Sequence, residues 1–315
     1  MRVLFLLFLT LSLFGANVTM PSASFISSGA VRDLVVFEEK LYSATDLGVV
    51  DIFDISTKQK LLELKVKNIK DFMGDVIKPK IYSVDVMPNK VLILSQGESG
   101  FTNLSLFMSA HEVMLITSAE MLSIAKAKFV DANTILLALL SNELILYDIK
   151  TKEIQYQIQV SGSKFSDFAL NEQKDEVVVA DESGVLHLFR IKDAKFLKAF
   201  KGQNLDNVFQ VQRAGDFIVT AGQDRRLVVY DMKKDSAYYK TSGFLIYTVA
   251  LSASANYIAY SSDEHNTIKL FERATQKELG SFGGTKMTPS KILFLNETEF
   301  LVSSDDKIIN LYKIK

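Results

Sequence analysis

Leu227-Val228-Val229-Tyr230-Asp231 is followed forty-one residues later by Ile268-Lys269-Leu270-Phe271-Glu272, and forty-one later again by Ile309-Asn310-Leu311-Tyr312-Lys313. Working back along the chain, the same pattern stands at Leu186-His187-Leu188-Phe189-Arg190 and Leu144-Ile145-Leu146-Tyr147-Asp148. It stands again at Leu104-Ser105-Leu106-Phe107-Met108 and Val49-Val50-Asp51-Ile52-Phe53-Asp54. The aromatics fall at 53, 107, 147, 189, 230, 271 and 312, with separations of 54, 40, 42, 41, 41 and 41. A fixed period of this size marks a chain built from repeated supersecondary units.

The interior of one unit shows what is repeated. The apolar run ending at Phe168-Ala169-Leu170 meets a polar turn at Asn171-Glu172-Gln173, and Glu176-Val177-Val178-Val179-Ala180 reads as a second strand. Asp181-Glu182-Ser183-Gly184 turns into the aromatic strand, and Lys192-Asp193-Ala194-Lys195 leads to a fourth strand over Phe196–Phe200. Short β-branched or aromatic runs bounded by Gly, Asn, Asp and Ser are strand signals. No stretch after residue 17 sustains a 3.6-residue period. Four short antiparallel strands every forty-one residues predict an all-β fold, a seven-bladed β-propeller of four-stranded blades, occupying residues 17–315 as one domain.

These units resemble the WD-repeat propellers. The aromatic-plus-charge step stands where that family carries its Trp-Asp pair. Asp54-Ile55-Ser56-Thr57-Lys58, Asp148-Ile149-Lys150-Thr151-Lys152 and Glu272-Arg273-Ala274-Thr275-Gln276-Lys277 match the turn that follows it. Asp46, Asp181, Asp224, Asp263 and Asp305 match the family's turn aspartate, and Asn142 takes that place in the third unit. The chain has no Trp, and the family's Gly-His pair is absent from every unit. The resemblance therefore implies the blade topology and not the family's polar side-chain network.

The seventh unit holds only three strands, Lys291–Leu295, Glu299–Ser303 and Lys307–Ile314. Left so, it would expose an unpaired backbone edge. Thr19–Ser27 is expected to supply the missing strand, with Pro21 on an outer edge where its lost N–H costs nothing.

One unit is longer than the rest. The extra residues are mainly Lys67–Lys80, with a smaller share in Gln96–Phe101, and both join strands on the same face. One long loop on a rigid scaffold is a common way to place function. Its Phe72 and Met73 either form a docking epitope or pack back on the blade. The partner-binding candidates are Lys70, Phe72, Met73, Lys78, Phe101, Arg225 and Arg226.

Signals for chemistry are sparse. The chain has no Cys, which removes disulfides, thiolate catalysis and thiolate metal sites. His111, His187 and His265 fall in different units at different strand positions and do not suggest a metal set. There is no Gly-x-Ser-x-Gly elbow. The carboxylate pairs Asp181-Glu182 and Asp305-Asp306 lie where turn-formers are expected. Asp85, Lys126, Lys128, Asp167, Gln210 and Gln212 are expected to line the central channel as solvated polar groups. Arg225-Arg226 and Lys233-Lys234 are too sparse for a nucleic-acid stripe, and the formal charge of −1 gives no strong field.

Met1-Arg2, an apolar run from Val3 to Phe14 and the exit Gly15-Ala16-Asn17 read as a secretory signal over residues 1–16. The mature chain would then sit in a periplasm, exported unfolded, with no cofactor, no membrane span and a monomeric state. Leader, Cys-free body and Lys- and Phe-rich seven-unit repeat together resemble periplasmic accessory proteins of nitrate reductase systems. That resemblance implies a non-catalytic scaffold partnering a molybdenum nitrate reductase or another periplasmic protein. A ligand- or glycan-binding propeller is the alternative, and a propeller hydrolase or lyase a third reading.

Overall fold

The computed structural model describes residues 18–109 and 111–314. The signal reading at residues 1–16 lies outside them. Among the described residues, seven antiparallel four-stranded blades follow one another in chain order, and helix is limited to two 3₁₀ turns, Glu98–Gly100 and Ser118–Glu120. The innermost strands are Val31–Phe37, Ile81–Met87, Ile124–Phe129, Phe165–Leu170, Val208–Ala214, Val249–Leu251 and Pro289–Asn296. No helix among the described residues is long and apolar enough to cross a membrane.

The core is divided into seven apolar seams, one between each pair of neighbouring blades. This explains the repeated aromatic. Phe53, Phe107, Tyr147, Phe189, Tyr230, Phe271 and Tyr312 are all buried, and each packs into the seam shared with the preceding blade. A blade cannot bury both its faces alone, so each unit requires its neighbour's aromatic. Where the aromatic is Tyr, its hydroxyl is satisfied at the seam. Tyr147 donates to the Leu115 carbonyl at 3.1 Å and Tyr312 to that of Gly283 at 2.8 Å. Tyr230 accepts from the Asn204 amide at 2.9 Å.

The ring closes through the beginning of the chain, as expected. Ala23–Ile26 pairs antiparallel with Asp306–Lys313 and completes the seventh blade. Phe25 is 1% exposed and meets Phe53 edge-on at 5.5 Å. Beyond this strand the chain is locked onto the first blade. The buried Asp51 accepts from the Ser28 N–H at 2.6 Å and the Ser28 hydroxyl at 2.7 Å, and pairs with Lys60 at 2.7 Å.

Two details differ from expectation. Val18–Thr19 adds a parallel fifth strand to the sixth blade, against Ser281 and Phe282. Pro21 accordingly lies in the crossing between two short strands rather than on an edge strand.

Candidate functional site

Antiparallel blades sort their connections by face. Loops between consecutive blades and turns between second and third strands share one face, here called the loop face. The other two turns of each blade form the opposite face. The candidates Lys70, Phe72, Met73, Lys78, Phe101, Arg225 and Arg226 all fall in loop-face connections or at their edges.

The long connection between blades one and two is a small hairpin, Ile69–Lys70 against Val76–Ile77. Ile69 at its root is buried, and the buried Pro79 abuts the turn at Gly48, whose φ of +72° would strain any larger residue and where a Cβ would stand 3.2 Å from the Pro79 ring. The tip is built around Asp71. Its Oδ1 accepts from the N–H groups of Met73 and Asp75, both at 2.9 Å, and Gly74 takes φ +88°. This turn holds Phe72 96% and Met73 76% exposed, with Val76 at 68%. Phe72 and Met73 therefore do not pack back on the blade.

The second loop stands beside the hairpin: the Lys70 N–H donates to Glu98 Oε1 at 3.2 Å. Phe101 is half-buried and hydrogen-bonds within its own turn, its N–H to Glu98 and its carbonyl to Gly97. Arg225 and Arg226 belong to the fifth blade and do not join this cluster. Arg225 is exposed, but Arg226 is engaged, stacked on Tyr239 at 4.1 Å and donating to the Gln203 carbonyl at 2.8 Å.

The two faces differ in kind. Leu47, Phe72, Met73, Val76, Met121, Leu140, Leu205 and Met287 are large apolar residues exposed on loop-face connections. Among the described residues, the opposite-face turns expose none. Isolated exposed apolar residues are ordinary, whereas a concentration on one face signals interaction. Sequence reading found Phe72 and Met73 because they interrupt the repeat; Met121, Leu205 and Met287 sit in turns of ordinary length and carry no such signal.

The channel corrects one expectation. Its cavity is about 500 Å³ and is lined by the six polar residues named from sequence, together with Asp33 and Lys291. These charges are not solvated singly; they are bonded across the ring. Asp33 of blade one pairs with Lys128 of blade three at 3.3 Å and with Lys291 of blade seven. It also accepts the Val84 N–H of blade two at 3.0 Å. Lys126 pairs with Asp167 at 2.6 Å and donates to the Phe168 carbonyl at 2.8 Å. Asp85, Asp167 and Gln212 accept N–H groups of the next inner strand from Phe129, Val211 and Leu251. The inner strand of blade six, Val249–Leu251, is apolar, and Gln210 reaches past it to the Ser290 carbonyl of blade seven at 2.7 Å.

Burial alone would raise the Asp33 carboxyl, but Lys128, Lys291 and Lys126 outweigh it and hold the group well below the usual carboxylate range. Burial would lower Lys128, yet Asp33 and Asp85 keep its ammonium above the ordinary lysine value. At Lys291 burial wins and the value falls, even beside Asp33. Lys126, Lys128 and Lys291 are thus set against Asp33, Asp85 and Asp167, and these bonds latch the blades to one another across the channel.

The remaining candidates for chemistry are structural too. Asp181 is buried and accepts from Ser183, Ser161 and the Asn142 side chain, tying blades three and four. Asp263 accepts from the N–H groups of His265 and Thr267, closing its own turn. No group of three or more His, Asp or Glu able to hold a metal occurs among the described residues.

The chain is similar in structure to the β-propeller domain of Cps50 (Swd1) from Myceliophthora thermophila. The TM-score is 0.75 at 15% identity, over 94% of this chain and 99% of that one. It thus shares the WD-repeat-like seven-bladed fold, and at this identity the likeness speaks to fold alone. No family model matches the sequence, and no curated protein matches it.

Proposed function

We propose that this propeller is a non-catalytic scaffold that binds a protein partner through its loop face. The observation that carries the reading is the asymmetry of the connections, with eight exposed large apolar side chains in those of the loop face and none in the turns of the opposite face among the described residues, where Met108 at a strand end is 39% exposed. Each such side chain gains roughly 1.5–3 kcal/mol when a partner fully covers it. The engagement of the channel's Asp33, Asp85 and Asp167 by lysines and backbone N–H groups argues against a reaction centre there.

We place this scaffold in the periplasm, on the strength of the leader-like residues 1–16. Within that compartment we propose a molybdenum nitrate reductase as the partner, following the resemblance of overall kind to the accessory protein NapL. Photo-crosslinking residues introduced one at a time at Met121, Leu205, Lys150 and Lys192 test the face assignment in the native host. Adducts to a protein from Met121 and Leu205, and none from Lys150 or Lys192 on the opposite face, are expected. Adducts from the opposite face only would overturn the reading. Titration of purified nitrate reductase against the purified protein tests the partner, and no heat of binding would remove that assignment alone.

A further inference from the structure

We infer that the Ile69–Ile77 hairpin is a preformed knob whose partner is a protein pocket, apolar at its floor and rimmed by carboxylates. This rests on the loop-face reading and names the chemistry of the partner there.

Three observations fix that chemistry. First, the tip is rigid by construction. Two N–H groups converge on Asp71 Oδ1, the Asp71 N–H donates to the Asp75 carbonyl at 2.9 Å, and that of Gly74 donates to the Asp71 carbonyl at 3.1 Å. Phe72 and Met73 are therefore held in water before any partner arrives, and little ordering cost remains for binding. An aromatic presented this way is the usual centre of a binding hot spot.

Second, the flanks are basic and unspent. Residues 67–80 carry four lysines against two aspartates. Among the described residues, none of Lys67, Lys70, Lys78 and Lys80 makes an ion pair. Opposite charge on the partner's rim is the complement that speeds encounter and fixes register.

Third, the tip is unsuited to lipid. Asp71 and Asp75 bracket Phe72 and Met73, so inserting the apolar pair into a bilayer would carry two carboxylates towards hydrocarbon. A protein pocket admits the two apolar side chains while the carboxylates stay at its wet edge. A fixed turn likewise suits a shaped pocket more than a fluid surface.

The test places a photo-crosslinking residue at position 72 of the full chain in its native host and identifies the adduct by mass spectrometry. The identified protein is then purified and titrated against three forms of the chain, at low and high salt. The forms are the unaltered protein, Phe72→Ser with Met73→Ser, and Lys67, Lys70, Lys78 and Lys80 all changed to Gln. One protein adduct is expected, at a site flanked by Asp or Glu. The Ser pair should weaken binding about thirtyfold, a hot-spot-sized loss. The Gln set should weaken it about tenfold at low salt and flatten its salt dependence.

Adducts to phospholipid alone, confirmed by flotation with phosphatidylglycerol vesicles, would overturn the proposal in favour of a membrane anchor. Absence of any adduct at position 72 would also overturn it. If crosslinks from Met121 and Leu205 yield a protein whose affinity ignores the Ser pair, the knob is wrong and the loop-face reading stands. Adducts confined to Lys150 and Lys192 remove both.

Discussion

Besides Val18–Thr19, two short β segments lie outside the repeat, and they have opposite fates. The closing strand Ala23–Ile26 sends Phe25 into a seam, where it is 1% exposed; the Ile69–Ile77 hairpin holds Phe72 out at 96%. Both are pinned by an aspartate: Asp51 accepts the N–H and hydroxyl of Ser28 just after the first, and Asp71 accepts the N–H groups of Met73 and Asp75 within the second. Asp51 is itself buried and draws the chain inward, whereas Asp71 closes a turn on itself at the surface. An added segment becomes part of the fold when an open blade edge awaits it. It becomes display when every neighbouring backbone group is already paired.

The comparison can be broken first at the closing strand. Deleting Met20–Ser28 removes the fourth strand of the last blade, an aromatic of the seam between blades seven and one, and the Asp51 contacts. The protein is expected to lose its cooperative thermal transition and its β-sheet circular dichroism. A folded, merely trimmed product would show that the ring closes without it.

Point changes sharpen the contrast. Phe25→Ala should cost about 3–5 kcal/mol in denaturant unfolding, the usual range for emptying a fully buried aromatic site. Asp33→Asn should cost about 3–5 kcal/mol by leaving Lys128 and Lys291 buried without their countercharge. Asp33 also sets a pH signature. Its folded value lies below the unfolded one, so its contribution is fully present above about pH 4 and fades as pH falls through the folded value. The stability gap between the unaltered protein and Asp33→Asn should therefore be constant from pH 5 to 7 and shrink below pH 4. A gap that widens in acid would contradict the channel network.

The smallest effect is expected at the hairpin tip. Phe72→Ser with Met73→Ser should shift unfolding by no more than about 0.5 kcal/mol, since both side chains are largely exposed. A larger loss would mean that the tip serves the fold.

The seven seams were legible in the sequence because each needs its aromatic at one point in the repeat, and Tyr230, Phe271 and Tyr312 announce that need at equal spacing. The closing strand was legible by subtraction, from a last unit one strand short. The channel latch was not. Asp33 meets Lys128 and Lys291 at sequence separations of 95 and 258, and no local pattern records which inner-strand charges face each other across a ring. Nor was Val18–Thr19, because two residues of parallel pairing leave no periodicity to read. At the candidate site, Lys70, Phe72, Met73 and Lys78 were found as a break in the repeat. That Arg226 stacks on Tyr239 was not legible, because the stacking partner lies on the next strand.

Hydrogen exchange read by mass spectrometry on the intact protein tests the account most directly. The amides of Ala23–Ile26 are predicted to be protected as strongly as those of their partner strand Asp306–Lys313, opening only with the whole ring, while the Phe72 amide, which has no hydrogen-bond partner among the described residues, exchanges within seconds. Exchange of Ala23–Ile26 as fast as Phe72, with Asp306–Lys313 still protected, would contradict closure of the ring by the chain's beginning.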